Sequence, residues 1–453
     1  MKTKLKKEEF KKIIINNLET TTIHAIPNIV RSNNYLARFI WISCLLLSSG
    51  YCSFEIYKSI ASFYDYEVVA TTRKIDQNEI TLPVITICNL ITYSPEISIK
   101  FKNETQFYSQ PNVSSRKSFS YRKSKLAEII NKLSETDKKS IGFGINQTIF
   151  NCMFAIQDCD LNRDFEHKFD PILGNCFLYN KKNDKKQKLS GTAFGLELEL
   201  ITDPSFKLNE HYMFQYEGFF IYIGDLDFNS LLVDGIRVPA GFSTNIVLEK
   251  YRSKLQEYPY SNCTEDLTNI DSYNSFYYKK TIELKKLYTR KKCIEICYQY
   301  YTKEVCGCYQ KSSNIIPDNN TRLCSNTNDT FCLLNPRFSD LNVDQYCKCP
   351  YECEVIGFNT KLSLSNFPTS YYANYLLSHP DFQSKFPTVN RSKITYENFK
   401  NSIASVNIFF NEIAVTEIKE SIKFDKTSLV SNIGGLLGKQ LFFLIFYSVF
   451  YIS

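Results

Sequence analysis

Histidine and tryptophan are scarce in this chain of 453 residues, which has four histidines (His24, His167, His211, His379) and one tryptophan, Trp41. Sixteen cysteines stand against those four histidines, a balance that points to disulfides before zinc and to an oxidising compartment. No Cys-x-x-Cys occurs, although structural zinc sites favour two to four residues between ligands on a knuckle. Also absent are His-Glu-x-x-His, a nucleophile elbow and a phosphate-binding loop, so an enzyme finds little support and nothing calls for a cofactor. A mean hydropathy of −0.26 leaves no room for a polytopic membrane protein. With 43% hydrophobic and 22% charged residues the chain is not disordered either. Its net charge of +7 arises from 54 basic and 47 acidic residues, too evenly spread to suggest nucleic-acid binding.

What remains is a large folded body with few membrane anchors. Residues 1–38 hold eight Lys/Arg and three Glu, so most of the excess charge sits at one end. Directly after Arg38 an apolar stretch runs from Phe39 to about Tyr57, long enough to span a hydrocarbon core. Trp41, Tyr51 and Tyr57 suit its interfaces. A signal peptide is the other reading, but it would lie nearer the N-terminus and end at a small-residue cleavage site. The basic flank places the N-terminus in the cytoplasm. A second apolar run, from about Leu429 to Ser453, carries Lys439 near its middle. A central lysine costs about 2.5–3.5 kcal/mol on insertion scales, which makes this span marginal unless its neighbours shelter the charge.

Two spans give a cytoplasmic tail (1–38), a first transmembrane helix (39–62), an extracellular domain (63–428) and a divergent second helix (429–453). Cys44 and Cys52 fall in the first span and the other fourteen cysteines between the spans, an even number that permits complete pairing. Seven glycosylation sequons (Asn103, Asn112, Asn146, Asn262, Asn319, Asn328, Asn390) also lie there. Alternation predicts strands at 196–200, 218–223, 244–248 and 403–415, and helical patterns appear at about 125–134 and 288–304. The basic stretch 181–188 reads as an exposed loop. The fold class is therefore an α+β membrane protein, two transmembrane helices flanking a large disulfide-rich mixed α/β ectodomain. Cys293 and Cys297 share one helical face. If that helix meets an antiparallel segment carrying Cys347, Cys349 and Cys353, nested pairs follow, although spacing alone cannot fix the pairing of fourteen cysteines.

At this point the chain resembles the degenerin/epithelial sodium channel/acid-sensing ion channel family, over about residues 20–438. The resemblance rests on 22–27 (TIHAIP), 82–89 (LPVITICN), 174–180 (GNCFLYN), 195–200 (GLELEL), 259–263 (PYSNC) and 347–353 (CKCPYEC), taken in order with the fourteen cysteines. It implies the pairs Cys88–Cys176, Cys152–Cys159, Cys263–Cys353, Cys293–Cys349, Cys297–Cys347, Cys306–Cys332 and Cys308–Cys324. It further implies a hand-like ectodomain and a homo- or hetero-trimer with related subunits in the plasma membrane. The implied activity is passive, amiloride-sensitive sodium conduction through a pore lined by the second spans. Tyr260 matches the thumb-base aromatic position, and Tyr64 or Tyr66 the outer end of the first span; an aromatic contact there would couple the body to the pore.

The chain departs from that family's pattern in two places. Ala25 follows His24 where the cytoplasmic gating motif has glycine, and a loop needing positive φ would disfavour alanine, so low open probability is expected. After Ser431, Asn432, Gly434, Gly435 and Gly438, which resemble the pore mouth and the start of the second span, no Gly/Ser-x-Ser filter is recognisable. The sequence turns instead to Lys439-Gln440-Leu441-Phe442-Phe443, and phenylalanines cannot do the work of small residues and backbone carbonyls. An alternative splice or misplaced exon junction there would give a truncated pore. The alternative functions are thus a non-conducting regulatory subunit or a cysteine-rich surface receptor.

Overall fold

A computed structural model of the chain describes residues 14, 16–20, 25–93, 133–170, 173–202, 216–224, 235–285, 287–310, 318, 320–324, 328–329, 332, 342–387 and 389–450. Residues 125–132 of the helix predicted at about 125–134 and the sequons Asn103, Asn112 and Asn319 lie outside them, as does His24. The residues fall into two compact units: Met1–Thr71, Gln256–Ser261 and Glu420–Ser453 form one, Thr72–Leu255 and Asn262–Lys419 the other.

The strands in chain order begin β1 (Val68–Asp76), β2 (Ile80–Thr81), β3 (Val84–Asn89), β4 (Ile149–Phe154), β5 (Gln157–Asp158), β6 (Phe165–Asp170), β7 (Gly174–Tyr179) and β8 (Lys186–Gln187). They continue with β9 (Leu196–Ile201), β10 (Phe219–Gly224), β11 (Ile236–Val238), β12 (Phe242–Lys254), β13 (Cys263–Thr264), β14 (Tyr351–Glu352), β15 (Glu354–Asn366) and β16 (Ile403–Ile422). One sheet has the order β15-β12-β16-β9-β4-β5, with β1 also paired to β16; a second has the order β11-β10-β3-β7-β6. Within the large sheet β12 and β16 run parallel, and their register slips between Leu248 and Lys250. Leu196, Leu198 and Leu200 of β9, Val406 and Ile408 of β16, and Ile85 and Ile87 of β3 meet in one core between the sheets.

The segments that alternate in sequence are strands, but several are covered on both faces rather than one. Helices α6 (Ser370–Ser378), α7 (Pro380–Lys385) and α8 (Tyr396–Lys400) supply the second cover. Their Leu376, Phe382 and Phe399 pack with Ile201 and Ile403. The stretch 181–188 is not uniformly exposed: Gln187 of β8 is fully buried.

The cysteine-rich segment forms α3 (Phe276–Lys285), α4 (Arg290–Cys306) and α5 (Val343–Cys347). Thr289 caps α4 by accepting from the Lys292 amide, and Gly307 ends it at φ +68°, a left-handed conformation that glycine adopts without cost. Cys293, Cys297, Cys347 and Cys349 are themselves core residues here, packed against Tyr278, Ile282 and Tyr288. Half-cystines stand where a larger domain would place aliphatic side chains.

In the other unit, helix α1 (Ala25–Arg31) precedes α2 (Tyr35–Tyr64), and α9 (Lys426–Phe450) packs along α2. Asn34 starts α2 by accepting from the Leu36 amide. Thirty residues correspond to about 45 Å of helix. Among the described residues α2 is the one helix long and apolar enough to cross a membrane, with mean hydropathy 1.5 and little of its surface buried.

Candidate functional site

The α2/α9 pair and the turns at its ends bring together the residues singled out from sequence. Trp41 is only 7% exposed and packs with Ile29 of α1 and Leu45. It is therefore an internal contact of the helical unit and not an exposed interface anchor. The Arg38 guanidinium donates to the carbonyls of Ile29 and Ser32, groups that the end of α1 leaves without helical partners. Ala25 is the first residue of α1. Right-handed helical backbone suits alanine.

At the other end of α2, Tyr66 adopts φ +51°, uncommon for a bulky residue. Its ring meets Tyr260 edge to face at 5.4 Å and Tyr64 at 6.3 Å. Of the two tyrosines proposed from sequence, Tyr66 makes the contact and Tyr64 supports it. The turn carrying Tyr260 is fastened to the strand that leads into α9. Gln256 donates from its backbone amide to the Glu420 carboxylate (2.9 Å) and from its side chain to the Glu420 carbonyl (2.8 Å). Lys423 pairs with Glu67 at 2.5 Å. Thus the chain just after α2, the strand end just before α9 and the Tyr260 turn are joined by hydrogen bonds and an ion pair.

Along α9, Ser431, Asn432, Gly434, Gly435 and Gly438 are exposed. A Cβ added at any of the three glycines would meet nothing within 4 Å, so this face is open. The adjoining Lys439 is exposed as well.

Seven disulfides join Cys88–Cys176, Cys152–Cys159, Cys263–Cys353, Cys293–Cys349, Cys297–Cys347, Cys306–Cys332 and Cys308–Cys324; Cys44 and Cys52 are free. Cys308 and Cys324 also lie near Asp329 in a metal-like grouping. Their sulfurs are bonded to each other, and the carboxylate takes a two-pronged contact from Arg322 at 2.6 and 2.8 Å, which satisfies the set without an ion. Asn146, Asn262, Asn328 and Asn390 are exposed. Asn262 accepts from the Tyr273 hydroxyl.

Among the buried polar side chains that the sequence does not mark are Gln187 of β8 and Glu199 of β9. Glu199 of β9 lies beneath α6, where the Tyr372 hydroxyl donates to its carboxylate at 2.6 Å. Burial pushes the Glu199 carboxyl above its ordinary value of 4.5, and neighbouring Glu197 adds to this; Tyr372, Asn151 and Lys385 only partly offset them. The folded chain then holds this proton more tightly than the unfolded one. The stability it contributes is present below the ordinary value and is lost as pH rises through the raised one. Relative to Glu199→Gln, the native protein is expected to lose thermal stability across a pH series running upward from about 4.5. Parallel curves for the two proteins would remove this assignment.

A family model described as "Amiloride-sensitive sodium channel" matches residues 18–443. The chain belongs to this family of ion channels. Similar relatives include the bile acid-sensitive ion channel of Rattus norvegicus, 22% identical over 92% of this chain and 82% of that one. Degenerin-like protein asic-2 of Caenorhabditis elegans is 25% identical over 92% of this chain and 81% of that one. Epithelial sodium channel subunit gamma-2 of Xenopus laevis is 26% identical over 68% of this chain and 45% of its own. Members of the family are plasma-membrane channels, some of them multi-subunit, and not enzymes. The chain is accordingly an ion-channel-family membrane protein, with a disulfide-rich mixed α/β body and an apolar N-terminal helix.

Proposed function

We propose that this chain is a subunit of a trimeric, sodium-selective, amiloride-sensitive channel that carries sodium passively across the plasma membrane. In this reading α2 and α9 both span the bilayer, the basic tail (1–38) is cytoplasmic, residues 63–428 are extracellular, and α9 lines the pore. The observation that carries it is the extent of the family match, from residue 18 to 443, which takes in α2, most of α9 and the whole body between them. The packing of α9 along α2 and the seven disulfides of the body support the same reading. Expression in oocytes tests it. An amiloride-blocked current is expected, its reversal potential shifting by about 59 mV per tenfold change in sodium. Protease protection of a C-terminal tag tests whether α9 crosses. A current that ignores sodium and amiloride would defeat the reading.

A second reading, a regulatory subunit, draws on the sequence Lys439-Gln440-Leu441-Phe442-Phe443 after Gly438. It predicts no current from this chain alone and an altered current when it is expressed with related subunits.

Under either reading the Tyr66–Tyr260 contact carries motion from the Tyr260 turn to the end of α2. Edge-to-face aromatic pairs contribute about 0.5–1.5 kcal/mol beyond their buried area. A double-mutant cycle with Tyr66→Ala and Tyr260→Ala is expected to show a coupling of about that size in the open–closed equilibrium. Additive effects would remove the contact from gating.

A further inference from the structure

The two apolar helices carry few charges. Along α2 these are Arg38, Glu55 and Lys58, and along α9 Lys426 and Lys439. Arg38 and Lys426 lie in the first turns of their helices. Lys58 is six residues from the outer end of α2 at Tyr64, about 9 Å, and a long side chain there can reach the interface. One acid, Glu55, and one base, Lys439, are left deep in hydrocarbon when both helices span. Among the described residues neither has an ion-pair partner. Unpaired charges at that depth are strongly disfavoured, and intramembrane charges accordingly face a bundle interior and pair with one another.

The fold brings these two towards each other. Strand β1, which follows α2, pairs with β16, which precedes α9, and the Lys423 amide donates to the Glu67 carbonyl at 3.1 Å. The outer ends of the helices are therefore level, and the helices run antiparallel. From those ends Glu55 is nine residues down α2 and Lys439 thirteen down α9, about 14 and 20 Å. Side chains lean toward the N-terminus of their own helix, so Glu55 leans inward and Lys439 outward, each toward the other's level. Around α2, the residues Trp41, Cys44, Ser48, Cys52, Glu55 and Ser59 follow at spacings of three and four and are all buried or half-buried, which makes them one covered stripe. On α9 the covered stripe is Leu429, Ile433 and Leu436, with Asn432, Gly435 and Lys439 on the open flank beside it. At about 100° per residue, Glu55 and Lys439 are displaced from the middle of their stripes in the same rotational sense. In an antiparallel pair that puts both on one side of the shared seam.

Resting on the reading of α9 as a spanning helix, we propose that Glu55 and Lys439 form an ion pair within each subunit and that this pair seats α9 in the bilayer. The open flank leaves the lysine stem free to turn toward the carboxylate. So paired, Lys439 adds no net charge to the path of the proposed sodium current.

The test uses the full chain in oocytes, with a glycosylation acceptor on a flexible extension after Ser453. The acceptor is modified only in molecules whose α9 has failed to cross, whether or not they reach the surface. The native extension is expected to stay largely unmodified. Glu55→Leu, although it makes α2 more apolar, should lower the ratio of crossed to uncrossed molecules about tenfold, equivalent to about 1.4 kcal/mol. Glu55→Leu with Lys439→Leu should restore the native ratio. Glu55→Lys and Lys439→Glu should each lower it, and the two together should recover it. Lys58→Leu should leave it unchanged. If the native extension is unmodified and Glu55→Leu matches it, or the exchanged pair is no better than the single reversals, α9 spans and the ion pair is overturned. A loss with Lys58→Leu equal to that with Glu55→Leu overturns it too, because Lys58 is then the partner. Full modification of the native extension defeats the spanning reading itself, and this inference falls with it.

Discussion

Replacing Cys293 and Cys297 together by serine is expected to unfold the segment from α3 to α5 and to remove most of the protein from the cell surface. Cys293–Cys349 and Cys297–Cys347 close loops of 56 and 50 residues. Chain-entropy estimates give about 4 kcal/mol for one closure of that size. Because the two bridges are nested, the second closes a loop already nearly closed, and their contributions do not add in full. The larger loss is local. The four sulfurs form much of the core at this site, which otherwise holds Tyr278, Ile282 and Tyr288. Tyr288 also depends on the Cys349–Pro350 turn, donating its hydroxyl to the Pro350 carbonyl at 2.6 Å. By contrast Cys152–Cys159 closes only seven residues, and the Cys152→Ser, Cys159→Ser pair should cost about 2 kcal/mol. Limited proteolysis of surface-labelled protein separates the two cases: rapid cleavage within 276–349 for the first pair, near-native resistance for the second. Equal resistance in both would show that the ladder does not hold this segment together.

Gln187→Leu is expected to destabilise the body by about 2–4 kcal/mol, a large effect for a residue in a lysine-rich loop. Strand β9 pairs with β16 only as far as Leu196 opposite Ile408. Two residues on, the Phe410 amide donates to the Gln187 side-chain oxygen at 2.9 Å, and the Gln187 amide donates to the Phe410 carbonyl at 3.1 Å. One buried side chain thus extends the ladder past the end of its strand, just before the slip in register between β12 and β16. Leucine would fill the space and leave the Phe410 amide buried without an acceptor, and such a group costs its full desolvation. Glu249 and Lys361, an exposed pair on β12 and β15, provide the control: Lys361→Ala should change stability by about 0.5 kcal/mol or less. Urea unfolding of the purified protein reads both, and a Gln187→Leu midpoint equal to that of Lys361→Ala would reject the role given to the amide.

These two cases differ in how far each was legible from sequence. The i, i+4 spacing of Cys293 and Cys297 marks a helical face whatever surrounds it, because 3.6 residues complete a turn. Alternation at 196–200 and 403–415 marks strands for the same local reason. Gln187 carries no such mark. Its neighbours at 181, 182, 185, 186 and 188 are lysines, and a run of that composition reads as solvated until a strand more than two hundred residues later covers its one amide. Glu199 misleads in the opposite sense. It occupies the polar position of an alternating strand, yet α6 closes over that face and leaves the carboxylate against Tyr372. Tyr64 and Tyr66 are equivalent by composition, and the left-handed turn at Tyr66 decides which ring reaches Tyr260.

By itself the sequence determined the apolar N-terminal helix, the disulfide-rich mixed α/β body, the strand-forming segments and membership of a channel family. Each of these depends on short-range periodicity, on residue chemistry or on motifs kept in order, and none requires knowing what packs against what. Only the tertiary structure decided that Trp41 is internal, that Ala25 begins a helix, that Gln187 and Glu199 are buried, and that Asn432, Gly435 and Lys439 share an open face of α9. Burial and exposure are set by elements far apart in the chain, and the free energy of a polar side chain depends on which of them arrives to cover it.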